Sequence, residues 1–374
     1  ASVESKFEIV AESETKPDKA ARAAESPKVS QPARRGGPMT GTSSNNHQGG
    51  IATSSSGKAT STPAAQAPPP GTVHAAAHCG DSTALESMVQ EGHEPDGRDR
   101  LGYTPLHFAA CYGHDDTVQL LLKLGADATT QCDQGWTPLH VAARSGRVGS
   151  ARQLLAAGCD VDASDKLDWT ALHNAACNGN VDMIEVLVKG GSNVNAQDRD
   201  GWTALHFAGR FNNVEAVDKL IELGADPNLQ DVDGWTAMHN SARNGHNRCV
   251  KALIIGKGNP SLQTRYKENV LHVASRKGKA KVVAIIVKIT AGEGTLDALR
   301  ACLDHHGNTA EMIASTPHIR QIISRTSDPD EENVETGSYE MDPNSPDKAA
   351  AGSAGASRLL SIMGLSKSKA CAIQ

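Results

Sequence analysis

The sequence predicts an all-α repeat protein: a solenoid of about seven helix-turn-helix units over residues 71–325, with disordered N- and C-terminal tails on either side. Three observations predict it. A tetrapeptide recurs with a step of 33, as TPLH at 104 and 137, TALH at 170 and 203, TAMH at 236 and NVLH at 269, and one further step back reaches His74 in GTVH. An apolar column keeps the same period through Met88 with Val89, Leu121 with Leu122, Leu154 with Leu155, Leu187 with Val188, Leu220 with Ile221, Leu253 with Ile254 and Ile286 with Val287. The whole chain is only 3% aromatic, with 35 Gly and 17 Pro among 374 residues, so much of it outside the repeats is not core. Two columns in register at this period mark stacked units, each with an apolar face that its neighbour covers.

Taken in order, residues 1–70 hold Ser, Thr, Gly, Pro, Ala and charge and end in AAQAPPPG. Such a segment buries too little apolar surface to offset chain entropy, and it is expected to be disordered. Its start, ASVESKFEIVAESETK, has no apolar run, and the longest such run in the chain, VVAIIV at 282–287, is short of a bilayer span. Neither a signal peptide nor a transmembrane helix is expected. In the repeat that opens at 104, Thr104 suits the N-cap and Pro105 the first helical position, where its missing N–H costs nothing. The first helix is short and Ala-rich (HFAACYGH), which permits close approach of a neighbour, and Gly113 ends it. A second helix, DTVQLLLKLG, carries the apolar column, and Gly125 sits where a left-handed C-cap is wanted, as do Gly92, Gly158, Gly191 and Gly224. A polar run such as ADPNLQDVDG then forms an extended turn. Residues 326–350 form an acidic linker, with eight Asp or Glu between Asp328 and Asp347, also expected to be disordered. Residues 351–374 form an amphipathic, basic tail.

Written out, one unit reads D99RLGYTPLHFAACYGHDDTVQLLLKLGAD, and this resembles the ankyrin-repeat family pattern of D-x-x-G-x-T-P-L-H, A-A, G-H, L-L and G-A-D. The resemblance covers 71–325. It implies the fold given above and a protein that binds others through a concave groove and the turn tips. Departures sit at the ends: GTVH in place of TPLH, T264RYKENVLH without D-x-x-G, and D304HHGNTAEMIAS, which starts seven residues late after ITAGEGTLDALR. These suit capping units, or a loop that meets a partner.

Several function classes find no support. A net charge of −6 gives no general attraction for nucleic acid, and no nucleic-acid recognition fold is visible. The local basic cluster Arg276, Lys277, Lys279, Lys281 and Lys288 points either to an anionic membrane surface or to docking of the acidic 328–347 segment. Eight Cys, at 79, 111, 132, 159, 177, 249, 302 and 371, form no C-x-x-C pair, so neither a disulfide framework nor a cysteine zinc site is expected, and a reducing compartment fits. His74, His107, His140, His173, His206, His239 and His272 all occupy one repeat position, which gives them a structural reason and no metal role. DHHG at 304–307 aligns with D-x-x-G of the repeat and lacks the Cys of an acyltransferase motif. With no phosphate-binding loop and no nucleophile elbow, neither an enzyme nor a cofactor is indicated.

Candidate binding residues fall in two further columns. Trp136, Trp169, Trp202 and Trp235, with Tyr103 one unit earlier, precede the helix-starting Thr. In the family this position is variable and lies near the turn that projects toward partners, so the resemblance implies a ladder of aromatic anchors on the binding edge. The other reading is that duplication of GWTALH copied a ring that packs on the adjoining turn. Arg144, Arg210, Arg243 and Arg276 lie four residues past the repeat His, a position that faces the concave groove in the family. They suit an acidic or aromatic-bearing partner, or else form a solvated face.

The terminal Cys371-Ala372-Ile373-Gln374 fits the C-a-a-X box of the farnesylated type, which makes Cys371 a lipidation site. One lipid chain binds marginally, so a second signal is expected in 357–369, where Leu359, Ile362 and Met363 lie at helical spacing beside Arg358, Lys367 and Lys369. The combined expectation is a non-enzymatic scaffold or adaptor, cytoplasmic and peripheral on the cytosolic face of a membrane. A soluble inhibitor resembling the IκB-like proteins, or a regulatory and targeting subunit of an enzyme, are the alternatives.

Overall fold

The computed structural model describes residues 68–325. The expected acidic linker, the 357–369 stretch, Cys371 and nearly all of the N-terminal tail lie outside the described residues. Seven helix pairs follow one another: α1 (Val73–Cys79) and α2 (Ser82–Gln90), α3 (Pro105–Tyr112) and α4 (Asp115–Lys123), α5 (Pro138–Ser145) and α6 (Val148–Ala156), α7 (Ala171–Asn178) and α8 (Val181–Lys189), α9 (Ala204–Arg210) and α10 (Val214–Glu222), α11 (Ala237–Asn244) and α12 (Asn247–Ile255), α13 (Val270–Arg276) and α14 (Ala280–Gly292). First helices pack on first helices and second on second, so the solenoid has two layers. Among the described residues there is no strand.

Five of the seven first helices, α3, α5, α7, α9 and α11, start on the Thr-x-x-His motif. His107, His140, His173, His206 and His239 bring Nδ1 to 3.0–3.2 Å of the backbone N–H of the Thr three residues before, closing capping boxes at Thr104, Thr137, Thr170, Thr203 and Thr236. The far side of the ring reaches the next unit: Nε2 of His107, His140, His173 and His206 donates to the carbonyls of Trp136, Trp169, Trp202 and Trp235 at 2.9–3.0 Å. One nitrogen accepts and the other donates, so the ring is neutral. Burial holds His107, His173, His206 and His239 down to about 4, and lowers His140 as well.

Between the pairs, the carboxylates of Asp99, Asp165, Asp198 and Asp231 accept two backbone N–H groups of their own turn, which folds each loop back on itself. Successive loops join in a ladder, Asp133 to Leu101, Lys166 to Gln134, Arg199 to Leu167, Val232 to Asp200 and Arg265 to Asp233, at 2.9–3.2 Å. The glycine at the last position of this turn, here Cys132-Asp133-Gln134-Gly135, is needed where the loops touch: a Cβ on Gly135, whose φ is 84°, would lie 2.9 Å from the backbone nitrogen of Lys166. Where the glycine columns are broken the chain keeps the same backbone, with Asp168, Asn212, Lys257 and Lys267 all at positive φ.

The late start of the last unit has a structural basis. α14 runs 13 residues instead of nine, the insertion adds α15 (Leu296–Ala301), and after the Asp304 turn no α-helix forms until α16 (Pro317–Ser324), which packs on α14 and closes that end.

Candidate protein-binding surface

The aromatic column does not form an exposed ladder, and here the structure corrects the expectation. Tyr103, Trp136 and Trp235 are 1%, 2% and 5% exposed, and Trp169 and Trp202 are half-buried. The cause lies one unit on. Trp136 Nε1 donates to Oδ2 of the buried Asp165, the first residue of the following turn, at 2.9 Å. Phe207 fills the space between Trp169 and Trp202, with ring centroids 4.4 and 5.0 Å away. Under these rings Asp198 is raised to about 6, by burial first and against the hydrogen bonds it receives from Trp202 and Asp200. Packing on the adjoining turn, not display at an edge, accounts for these positions.

The Arg column is placed by that packing. The guanidinium of Arg144 lies 5.1 Å from the Trp136 ring, Arg210 5.3 Å from Trp202 and Arg243 5.6 Å from Trp235. Each pair is eight residues apart. At Arg276 the residue eight before is Glu268, which is buried and takes the guanidinium in a 2.7 Å ion pair instead of a stack. In the units of Tyr103 and Trp169 the Arg is absent, and Cys111 and Cys177 stand in its place. The i, i+8 spacing of Trp and Arg was visible in the sequence, but only as two separate columns.

At the ends of the first helices these cations share a surface with polar and aromatic neighbours. Arg210 lies over a second ring, 5.9 Å from the exposed Phe211, and proximity to Arg243 adds to the burial that lowers its pKa. Asn178 donates to the carbonyl of Arg144 at 2.8 Å and Asn244 to that of Arg210 at 3.2 Å, so the turns between units are tied where the Arg stems leave. Arg276 and Lys277 continue the row, both exposed, and Lys277 is lowered by burial and by Arg276 and Arg243. The row from Arg144 to Lys277 is thus a cationic surface with one exposed ring, Phe211, and guanidinium groups of the kind that pair with carboxylates and stack on aromatic side chains. At the loop tips the exposed apolar side chains are Leu101, Leu167 and Val232, positions the sequence reading did not single out. No group of three His, Cys, Asp or Glu is placed to hold a metal among the described residues, and no helix among them is long and apolar enough to cross a membrane.

Comparison with known proteins agrees with this architecture. Residues 73–165, 149–231, 211–294 and 238–331 match the family described as ankyrin repeats (3 copies). Among solved structures, the ankyrin repeat domain of human ASB11 is similar in fold, with a TM-score of 0.53 and 24% identity over 58% of this chain and 96% of that one. No curated protein matches.

Proposed function

The chain belongs to the ankyrin-repeat family, and from that premise we propose that it is a non-enzymatic adaptor whose inner row from Arg144 to Lys277 captures an acidic, aromatic-bearing segment of another protein. The observation that carries this is Arg210, held between Trp202 and the exposed Phe211 ring beside Arg243. A stacked guanidinium has already lost much of its side-chain freedom, so pairing with a carboxylate costs less entropy. The test is an array of acidic peptides with and without an aromatic residue, probed with the full chain. Capture is expected to favour the aromatic peptides and to fall about tenfold or more in Arg210→Ala/Arg243→Ala. Equal capture by parent and variant refutes the assignment.

The second half of the proposal is location. Cys371 in the C-a-a-X box carries a farnesyl group that, with 357–369, holds the adaptor on the cytosolic face of a membrane. Fractionation of cells expressing the chain and Cys371→Ser, with the intact mass of each, tests it. Wild type that stays soluble with an unmodified terminus overturns this half and leaves a soluble inhibitor or targeting subunit.

A further inference from the structure

Charge is divided along the solenoid. Residues 99–235 carry ten Lys or Arg against nineteen Asp or Glu, whereas 236–294 carry eleven against two. The structure sorts the eleven by face. On α12, Cys249, Val250, Leu253 and Ile254 are buried, and Arg248, Lys251 and Ile255 share the opposite side, all exposed, Ile255 at 69%. Lys257 follows at the end of the helix, also exposed. On α14, Val282, Val283 and Ile286 are buried and Lys281 and Lys288 face outward, seven residues apart. The two helices pack together, so the repeat sets Lys281 beside Arg248 and Lys288 beside Ile255. Neither helix contains a carboxylate, and none of these five cations has an ion-pair partner among the described residues. At the equivalent positions of α10 stand Glu215, Asp218 and Glu222, all exposed, so the cationic face is two helices wide and ends there.

We propose that this outer face of α12 and α14 docks on an anionic lipid bilayer. Five unpaired cations on the second-helix layer suit a plane of lipid head groups, and each raises partition roughly fivefold near an anionic leaflet. Ile255, exposed among them, enters the head-group layer, where burying its side chain adds roughly tenfold. The Arg row lies on the first-helix side, so the protein-binding surface remains open while the outer layer rests on lipid. This deepens the membrane reading above by naming a second signal within the solenoid, and it does not depend on the state of Cys371.

The test uses the full chain carrying Cys371→Ser, sedimented with phosphatidylserine-containing vesicles and with pure phosphatidylcholine vesicles. Binding is expected to the first only and to weaken with added salt. Lys251→Glu/Lys281→Glu/Lys288→Glu is expected to lower partition about 100-fold or more, and Ile255→Ser about tenfold. All four positions are exposed, so the helical circular dichroism stays that of the parent. A triple Lys→Gln variant, expected to lose about 100-fold, guards against any effect of the added negative charge. The proposal is overturned if the triple variants partition like the parent or if neutral vesicles bind equally. It is also overturned if charge reversal alters only the protease sensitivity of 328–347, which makes that acidic segment the occupant. Because Cys371 is already replaced, failure here leaves the farnesyl reading standing, and failure of the fractionation experiment leaves this face standing.

Discussion

Acidification from pH 7.5 to 5.0 strikes the solenoid at the first helices α3, α7, α9 and α11. His107, His173, His206 and His239 titrate near 4 in the folded chain, against about 6.5 in an unfolded one. A lowered native pKa means that the unfolded chain takes the proton first, so the stability these rings confer is complete above about 6.5 and is lost as pH falls toward 4. At pH 5 the linkage relation gives about 2 kcal/mol for each ring and about 8 kcal/mol for the four. Asp198 works against this: its carboxyl is raised to about 6, so its contribution is present at low pH and lost as pH rises through that value. It is partly exposed and screened, which leaves a net loss of several kcal/mol from a total of about 5–15 kcal/mol. Urea unfolding followed by tryptophan fluorescence and circular dichroism between pH 7.5 and 5.0 reads it directly. In His206→Gln the pH-dependent part is expected to shrink by about a quarter, the share of one ring in four. A stability constant within about 1 kcal/mol over that window, or a loss confined to pH below 4, refutes the account of buried neutral caps.

Three further outcomes follow from particular contacts. Trp136→Phe keeps an aromatic ring but removes the indole N–H and its bond to buried Asp165, and is expected to cost about 1–3 kcal/mol by denaturant titration. Lys257→Gly and Lys267→Gly relieve left-handed backbone held at φ of 67° and 56°, and each is expected to raise stability by about 1 kcal/mol in the same assay. Arg276→Ala strands the carboxylate of buried Glu268 and is expected to destabilise by about 1–2 kcal/mol, while Arg276→Ala/Glu268→Gln recovers most of that loss.

What the sequence disclosed depended on the range of the interaction. Thr104 lies directly before Pro105 at the start of one helix, so its N-cap role could be read from local spacing, while the return bond to His107 came from the structure. Left-handed positions were legible as glycine columns, and the columns predict the conformation of Lys257 and Lys267 even though neither is glycine. The orientation of Trp136 was not legible in that way, because it is decided by Asp165, 29 residues on, across a contact between units. Column-by-column reading separated Trp136 from Arg144, although together they are one stacked pair. α15 arises from an insertion that breaks the period, and no repeat argument reaches it.

The packing of the tryptophans changes which residues the proposed binding surface rests on. An exposed row of indole rings would bind through apolar area and tolerate many partners. With Trp136 and Trp235 buried and Trp202 half-buried, these rings instead hold Arg144, Arg210 and Arg243, so in the function proposed above recognition rests on the guanidinium groups and their planes. The row is therefore tuned by the residue beneath it. Glu268 in place of a tryptophan ties Arg276 into an ion pair and leaves Lys277 as the freer cation at that end. On that proposal, loss of the Trp202 ring is expected to weaken binding by releasing Arg210, even though the ring itself need not touch the partner. Arg210→Lys, which keeps the charge and loses the planar stack, separates that indirect role from simple charge attraction.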